Sequence, residues 1–224
     1  LVGSGKNDVH LFVVATSDKG LAGAFNTNIV RLARRQAEAL KAEGKTVKFY
    51  TIGKKGRDQL SRTFRDDIIH SIEPGDLGKL SFADVQTWGE DLTARFEAGE
   101  FDVAHLFFSK FVTVLTQEPT QIQLMPVAVT AGEGDTVGLS ATVEYEPDEE
   151  EILAELLPRN VAVQLLRANR ETAASEQGSK MTAMDNATRN AGDMINKLTI
   201  QYNRTRQAAI TTELIEIIAG AEAL

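Results

Sequence analysis

The sequence predicts an α/β fold: a mostly parallel sheet covered by helices on both faces, followed by a long C-terminal helix. Three observations predict it. Short, near-continuous apolar runs alternate with amphipathic segments through the first two-thirds of the chain. The last two strand-like runs, Phe111–Thr116 and Gln121–Val129, follow one another with no helix between them. From Arg159 to Ala219 there is no proline, and only Gly178 and Gly192 interrupt good helix formers. Strands separated by helices require crossover connections and therefore parallel pairing, whereas back-to-back strands suit an antiparallel edge. The division falls into a globular domain over 1–147 and a helix over 148–224.

His10–Ala15 is an apolar run of the kind buried on both faces of a parallel sheet. Asn28–Ala42 places Ile29, Leu32, Ala33, Gln36, Ala37 and Leu40 at helical spacing, and Gly44 ends it. Thr46–Ile52 is a second strand, Lys54–Phe64 a helix and Ile68–Ile72 a short strand closed by Pro74 and Gly75. Ser81 opens S-F-A-D, a capping-box pattern. Phe82, Val85, Trp88, Leu92 and Phe96 line one face of the helix that follows. Val103–Phe108 is again a buried strand.

The C-terminal segment obeys a different rule. Pro158 stands where a helix can begin or kink. A continuous helix from there would be about 90 Å long. A domain of this size is on the order of 30–40 Å across, so the helix is expected to project from it. Met181, Met184, Ala187, Ala191, Met194, Ile195 and Leu198 keep a three-and-four spacing. A stripe that narrow and rich in small residues fits a close-packed two-helix coil. This sequence supplies no second long helix, so a partner or a segment before Leu1 must provide one. Each glycine in the helix interior costs about 1 kcal/mol relative to alanine, which close packing would offset.

Composition narrows the function. The chain has 224 residues, 42% hydrophobic and 25% charged, with no run near the roughly 20 apolar residues that cross a bilayer. No cysteine is present, which excludes disulfides, thiolate metal sites and cysteine nucleophiles. The net charge of −8 argues against nucleic acid as a partner. Charge is uneven, however: Glu144 to Glu155 holds acids and no base, while residues 159–206 carry eight basic residues against four acids. A basic rod in an acidic protein is either a solvated helix face or a surface for an acidic partner.

Known catalytic patterns are missing. The loop TSDKGLAGAFNTN, Thr16–Asn28, sits between strand and helix as a phosphate cradle would, but has neither the dinucleotide nor the P-loop glycine spacing. Asp18 there would repel phosphate, although Lys19 would attract it. GSGKND at Gly3–Asp8 precedes the strand and has Asn7 where a magnesium-binding hydroxyl belongs. His10, His70 and His105 are scattered without metal-ligand spacing, and no nucleophile elbow occurs. The consecutive acids at 148–151 suit the positive end of a helix start. No cofactor and no catalytic residue are expected.

More specific is the wording of the last helix. SEQGSKMTAMDNATRNAGDMINKLTIQYNRTRQAAITTELIEIIAGAEAL, Ser175–Leu224, closely resembles the C-terminal helix of the gamma subunits of F-type ATP synthases. TSDKGLAGAFN resembles that family's S-D-K-G-L-C-G-x-F-N loop, and VEYEPD at Val143–Asp148 fits as well. The resemblance covers essentially the whole chain. It implies a Rossmann-like foot domain below an antiparallel coiled coil of the N- and C-terminal helices. In the family that coil turns inside a ring of alternating alpha and beta subunits and couples transmembrane proton flow to ATP synthesis or hydrolysis on beta. The rotor itself is non-catalytic and binds no nucleotide directly.

Carried onto this sequence, the resemblance places Arg206, Gln207, Thr211 and Glu213 against a catch loop of beta. Asp18, Lys19, Gly20 and Lys180 would face the acidic lever segment of beta; Lys180 stands where many members have arginine. Tyr145 and Glu146 match the foot loop on the membrane ring, and Ile215, Ile217 and Ile218 the shaft tip in its apolar sleeve. Implied partners are alpha, beta, epsilon, the membrane c-ring and the family's own N-terminal helix, which falls before Leu1. Ala22 replaces the usual cysteine, and the two-cysteine regulatory insert of chloroplast members is absent. The implied location is peripheral, on the cytoplasmic face of a bacterial inner membrane, with the matrix face of the mitochondrial inner membrane as the alternative. From the residues alone, two other classes stay open: a nucleotide-dependent α/β enzyme with a helical arm, and a coiled-coil adaptor unrelated to rotation.

Overall fold

In a computed structural model, residues 5–127 and 149–222 are described. Five strands form one sheet in the order β3-β2-β1-β4-β5. These are β1 (Val9–Ala15), β2 (Thr46–Ile52), β3 (Ile68–Ile72), β4 (Val103–Phe111) and β5 (Gln117–Met125). The pairs β1–β2, β1–β4 and β2–β3 are parallel, and β4–β5 is antiparallel. Helices α1 (Phe25–Ala42), α2 (Lys54–Phe64) and α3 (Phe82–Glu97) make the connections, and α4 runs from Glu149 to Glu222. At Ser81 the capping box is complete: its hydroxyl accepts from the Asp84 amide, and the Asp84 carboxylate accepts from the Ser81 amide at 2.8 Å.

Several boundaries differ from the pattern read in the sequence: α1 begins at Phe25 rather than Asn28, and β5 runs from Gln117 to Met125 where the pattern placed a strand over Gln121–Val129, whose last two residues lie outside the described residues. Phe111–Thr116 is not a strand of its own. β4 continues to Phe111, and the next residues close a tight hairpin in which Thr113 and Thr116 exchange backbone hydrogen bonds. The apolar residues that mimicked a strand, Val112, Val114 and Leu115, are exposed at its tip. The last helix starts at Glu149, among the acids that suit a helix start, and runs on through Pro158.

Strand alternation builds two cores, one on each face. Leu11, Val13 and Ala15 of β1 point into a cluster with Tyr50, Ile52, Leu92, Leu106 and Val161. Phe12 and Val14 point the other way, toward Ile29, Ala33, Ala37, Phe49, Leu60 and Phe64 beneath α1 and α2. Both faces of β1 are therefore dry, which is why its sequence reads as an unbroken apolar run.

The first compact unit, Leu1–Met181, includes the early turns of α4. Small and polar residues let α4 lie close to its neighbours. A Cβ added to Gly89 of α3 would come within 3.2 Å of the Ala162 Cβ. The Ser109 amide donates to Thr172 Oγ1 at 3.5 Å, and Ser175 Oγ donates to the Ser109 carbonyl at 3.1 Å. Ser179 Oγ donates to Gln117 Oε1 at 2.8 Å. A Cβ on Gly178 would meet the Val114 carbonyl oxygen at 3.0 Å. Arg170 donates to the carbonyls of Gly78 and Leu80, fastening the loop before α3. The second unit, Thr182–Leu224, is helical to Glu222, and its large apolar side chains are exposed: Ile195 is 62% and Ile217 70% exposed.

At the N-terminal end of β1, His10 Nδ1 and His105 Nε2 lie 3.3 Å apart with parallel rings. A hydrogen bond between them needs one bare nitrogen, so both rings cannot be charged together. Burial, the charge of the other ring and Lys45 push His105 down to about 4. Burial and Lys45 also lower His10, against weaker support from the Asn7 carbonyl, Asp102 and Glu43.

Gly178→Val is expected to destabilise the chain by about 1–3 kcal/mol in urea unfolding, because a branched side chain meets backbone there. Gly192, with nothing within 4 Å of an added Cβ, should behave oppositely. Gly192→Ala is expected to raise helix content by circular dichroism, with a gain of up to about 1 kcal/mol. Histidine pKa values depressed by folding contribute stability above pH 6.5 that is lost as pH falls toward 4, since the unfolded chain takes up protons the native pair resists. The melting temperature should therefore drop more steeply between pH 6.5 and 4 in the wild type than in His105→Gln.

Candidate functional site

The glycine loop Thr16–Asn28 leaves the C-terminal end of β1, where open α/β sheets bind ligands. Polar groups at both of its ends bond within the protein. The Thr16 amide donates to the Ile52 carbonyl at 2.7 Å, and Thr16 Oγ1 accepts from the Gly56 amide at 2.9 Å. Gly53 fits against this threonine only because it lacks a side chain: at φ 98°, a Cβ would lie 2.0 Å from the Thr16 oxygen. Asn26, buried in the first turn of α1, accepts from the Ser17 amide at 3.0 Å and donates to Ser17 Oγ at 3.0 Å.

Asp18 ties the loop to two others. Its Oδ1 accepts from the Lys54 amide at 2.6 Å, at the first residue of α2, and its Oδ2 accepts from the Gly75 amide. The carboxylate thus occupies the position at the α2 N-terminus where a bound anion would sit. This arrangement holds the loop.

Lys19 and Leu21 are exposed beyond this brace. Leu21 is 72% exposed and has φ 66°, the left-handed region that large side chains avoid. Residue Gly20 lies beside Lys55, whose Cε would be 3.7 Å from an added Cβ. From α4, Glu176 comes down beside the loop and is almost fully buried. Burial raises its carboxyl above the ordinary value, opposed by the charges of Lys180 and Lys19 and a hydrogen bond from Ser17. Lys19 and Lys180 therefore act on the same buried carboxyl, Glu176, while Asp18 bonds to Lys54 and Gly75 and Gly20 lies beside Lys55. Sequence reasoning missed Glu176, Asn26 and Leu21. Glu176 carried a readable signal, an acid amid small residues on the helix face that packs on the sheet; the Leu21 backbone carried none.

Arg206, Gln207, Thr211 and Glu213 lie on the exposed part of α4 in the second unit. Arg206 and Glu213 are two turns apart on one row, and Gln207 and Thr211 one turn apart on the neighbouring side. Thr211 Oγ1 donates to the Gln207 carbonyl at 2.9 Å, so its hydroxyl proton is engaged within the helix. Ile215, Ile217 and Ile218 are at least half exposed. Tyr145 and Glu146 lie outside the described residues. Among the described residues, no cluster of His, Asp and Glu could hold a metal, and no helix is long and apolar enough to cross a membrane.

Comparison with known proteins identifies this combination of foot and helix. Residues 2–224 match the family described as ATP synthase. The ATP synthase gamma chain of Rhizorhabdus wittichii is 68% identical over the whole of this chain and 76% of its own length. That of Methylobacterium sp. (strain 4-46) is 56% identical over the same shares. Among solved structures, a chain of the Euglena gracilis mitochondrial ATP synthase covers 96% of this chain and is covered to 73%, with a TM-score of 0.73 at 21% identity, a likeness of fold. A chain of the Tetrahymena thermophila ATP synthase central stalk and c-ring has a TM-score of 0.65 at 25% identity, with 83% of this chain and 80% of that one covered. The chain belongs to the gamma-chain family of ATP synthases.

Proposed function

We propose that this chain is a non-catalytic rotor: the central-stalk subunit that turns inside a ring of alpha and beta subunits and couples proton flow to ATP synthesis or hydrolysis on beta. The observation that carries the reading is the helix of the second unit, whose Met194, Ile195, Leu198, Ile200, Ile217 and Ile218 stand at least half exposed. So much apolar surface on one helix is stable in water only when covered. The family's antiparallel helix and the ring's apolar sleeve would cover it. Its relatives' gamma chains extend beyond the matched part, which leaves room for that helix.

The partners are alpha, beta and epsilon subunits and the membrane c-ring, and the complex is peripheral on the cytoplasmic face of a bacterial inner membrane. Arg206, Gln207, Thr211 and Glu213 contact the beta catch loop, where guanidinium and amide groups form directional bonds that break as the shaft turns. Lys19, Gly20 and Lys180 face the acidic lever, with Asp18 behind them. Tyr145 and Glu146 rest on the membrane ring. Ile215, Ile217 and Ile218 turn in the sleeve, where few hydrogen bonds have to break.

Reconstitution with alpha and beta subunits, using a chain that includes the family's N-terminal helix, is expected to give steady ATP hydrolysis and rotation. Arg206→Ala with Gln207→Leu should lower the hydrolysis rate about tenfold, as the loss of one charged hydrogen bond in the rate-limiting step would. Full activity in that double variant would overturn the catch assignment, whereas calorimetric binding of ATP to the chain alone at micromolar affinity would favour an enzyme over a rotor.

A further inference from the structure

The two faces of the sheet domain carry opposite charge. Helices α1 and α2, which cover the Phe12 side, hold eight basic residues against Glu38 and Asp58, in a chain whose net charge is −8. Helix α3, on the other side, holds four acids against Arg95. Several cations of the basic layer are neutralised within the chain: Lys41 pairs with Asp67 at 2.6 Å, and Arg57 with Asp58 and Glu73. A groove of about 480 Å³ between α1 and α2, lined by Thr27, Arg31, Arg34, Arg35, Glu38 and Gln59, is different. Glu38 reaches Arg34 at 3.6 Å. The exposed side chains of Arg31, Arg35 and Arg62 make no hydrogen bond or ion pair among the described residues. Arg62 lies one turn along α2 from Gln59. Arg31 and Arg35, one turn apart on α1, repel one another, a cost to the helix that an anion from outside the chain removes.

We propose that the α1–α2 groove receives an acidic helix of a partner subunit, one that bears carboxylates a turn apart. Arg31 and Arg35 are about 6 Å apart along α1, which is the spacing of carboxylates at i and i+4 on another helix. Each guanidinium holds a carboxylate through two parallel N–H donors, which a lysine in its place would not do. A membrane surface is the poorer match. Basic helices that lie on a bilayer bring large apolar side chains to enter it, and none of the exposed large apolar residues belongs to α1 or α2. A free phosphate calls for donors that converge on one point, whereas these cations are strung along two helices. The groove is separate from the braced start of the glycine loop, and its occupation requires no rotation.

The first test titrates the full chain into a labelled helical peptide with glutamates one turn apart along one face and reads fluorescence anisotropy. Binding is expected, weakening as salt is raised. Arg31→Glu with Arg35→Glu is expected to weaken it roughly tenfold or more at an unchanged melting temperature. Lys79→Glu with Lys110→Glu makes the same change in net charge on exposed residues elsewhere and is expected to leave affinity within about twofold. Equal losses in the two variants mean general attraction to a cationic surface and overturn the proposal, as does the absence of binding. The second test locates the occupant in the assembled complex. The chain has no cysteine of its own, so Gln59→Cys carries a single photoreactive label into the groove. Crosslinks to a helix of another subunit that bears aspartate or glutamate are expected. Crosslinks to lipid alone, to a segment without carboxylates, or to nothing overturn the acidic helix as the occupant.

Discussion

The close approach of α4 to the sheet domain is the constraint on which the rest depends. A helix whose contact face carried leucines throughout would stand off from β4 and β5 at the usual interaxial distance. Here Ala162, Ala168, Thr172, Ser175 and Gly178 replace them, and the helix settles until its hydroxyls reach the Ser109 backbone. That depth brings Glu176 to Ser17 and within the influence of Lys19. It also lets Arg170 reach the carbonyls that precede α3. A single packing decision thus joins the helix, the sheet and the loop.

The loop itself resolves the question its glycines raise. Nucleotide-binding loops keep their amides free for phosphate and use glycine to let the ligand near. Here the amides of Thr16, Ser17 and Gly56 bond within the protein, and Gly53 makes room for Thr16 instead of a ligand. A carboxylate of the chain, Asp18, takes the helix terminus that an anion would otherwise seek. Here that topology ties the start of the loop to β2, α2 and the turn after β3.

Much of this was legible in the residues. The β1 run, the α2 and β3 boundaries and the Ser81 cap follow from burial on both faces and from local hydrogen bonding, which sequence encodes directly. Failures came where tertiary context overrode local pattern. Val112, Val114 and Leu115 look like a strand because short valine-rich apolar runs usually are one, but the hairpin spends them at its tip. At the candidate site, the charges around the loop could be named from a family resemblance, whereas the pairing of Asp18 with the amides of Lys54 and Gly75 required the fold. Backbone donors carry no signature in the side-chain sequence, so such a brace is invisible until the loops are placed.

The seam between α4 and the β4–β5 hairpin has a mechanical consequence. Oily helix contacts are non-directional, and a helix seated on them can roll about its axis with small changes in energy. The bonds from Ser175 and Ser179 to Ser109 and Gln117, with the Ser109 amide on Thr172, are directional and lie along one side of the helix. Rolling by a fraction of a turn breaks all of them and drives the Gly178 edge away from the one place where it fits. The seam works as a key in a slot, fixing the angular position of this part of the helix to the sheet.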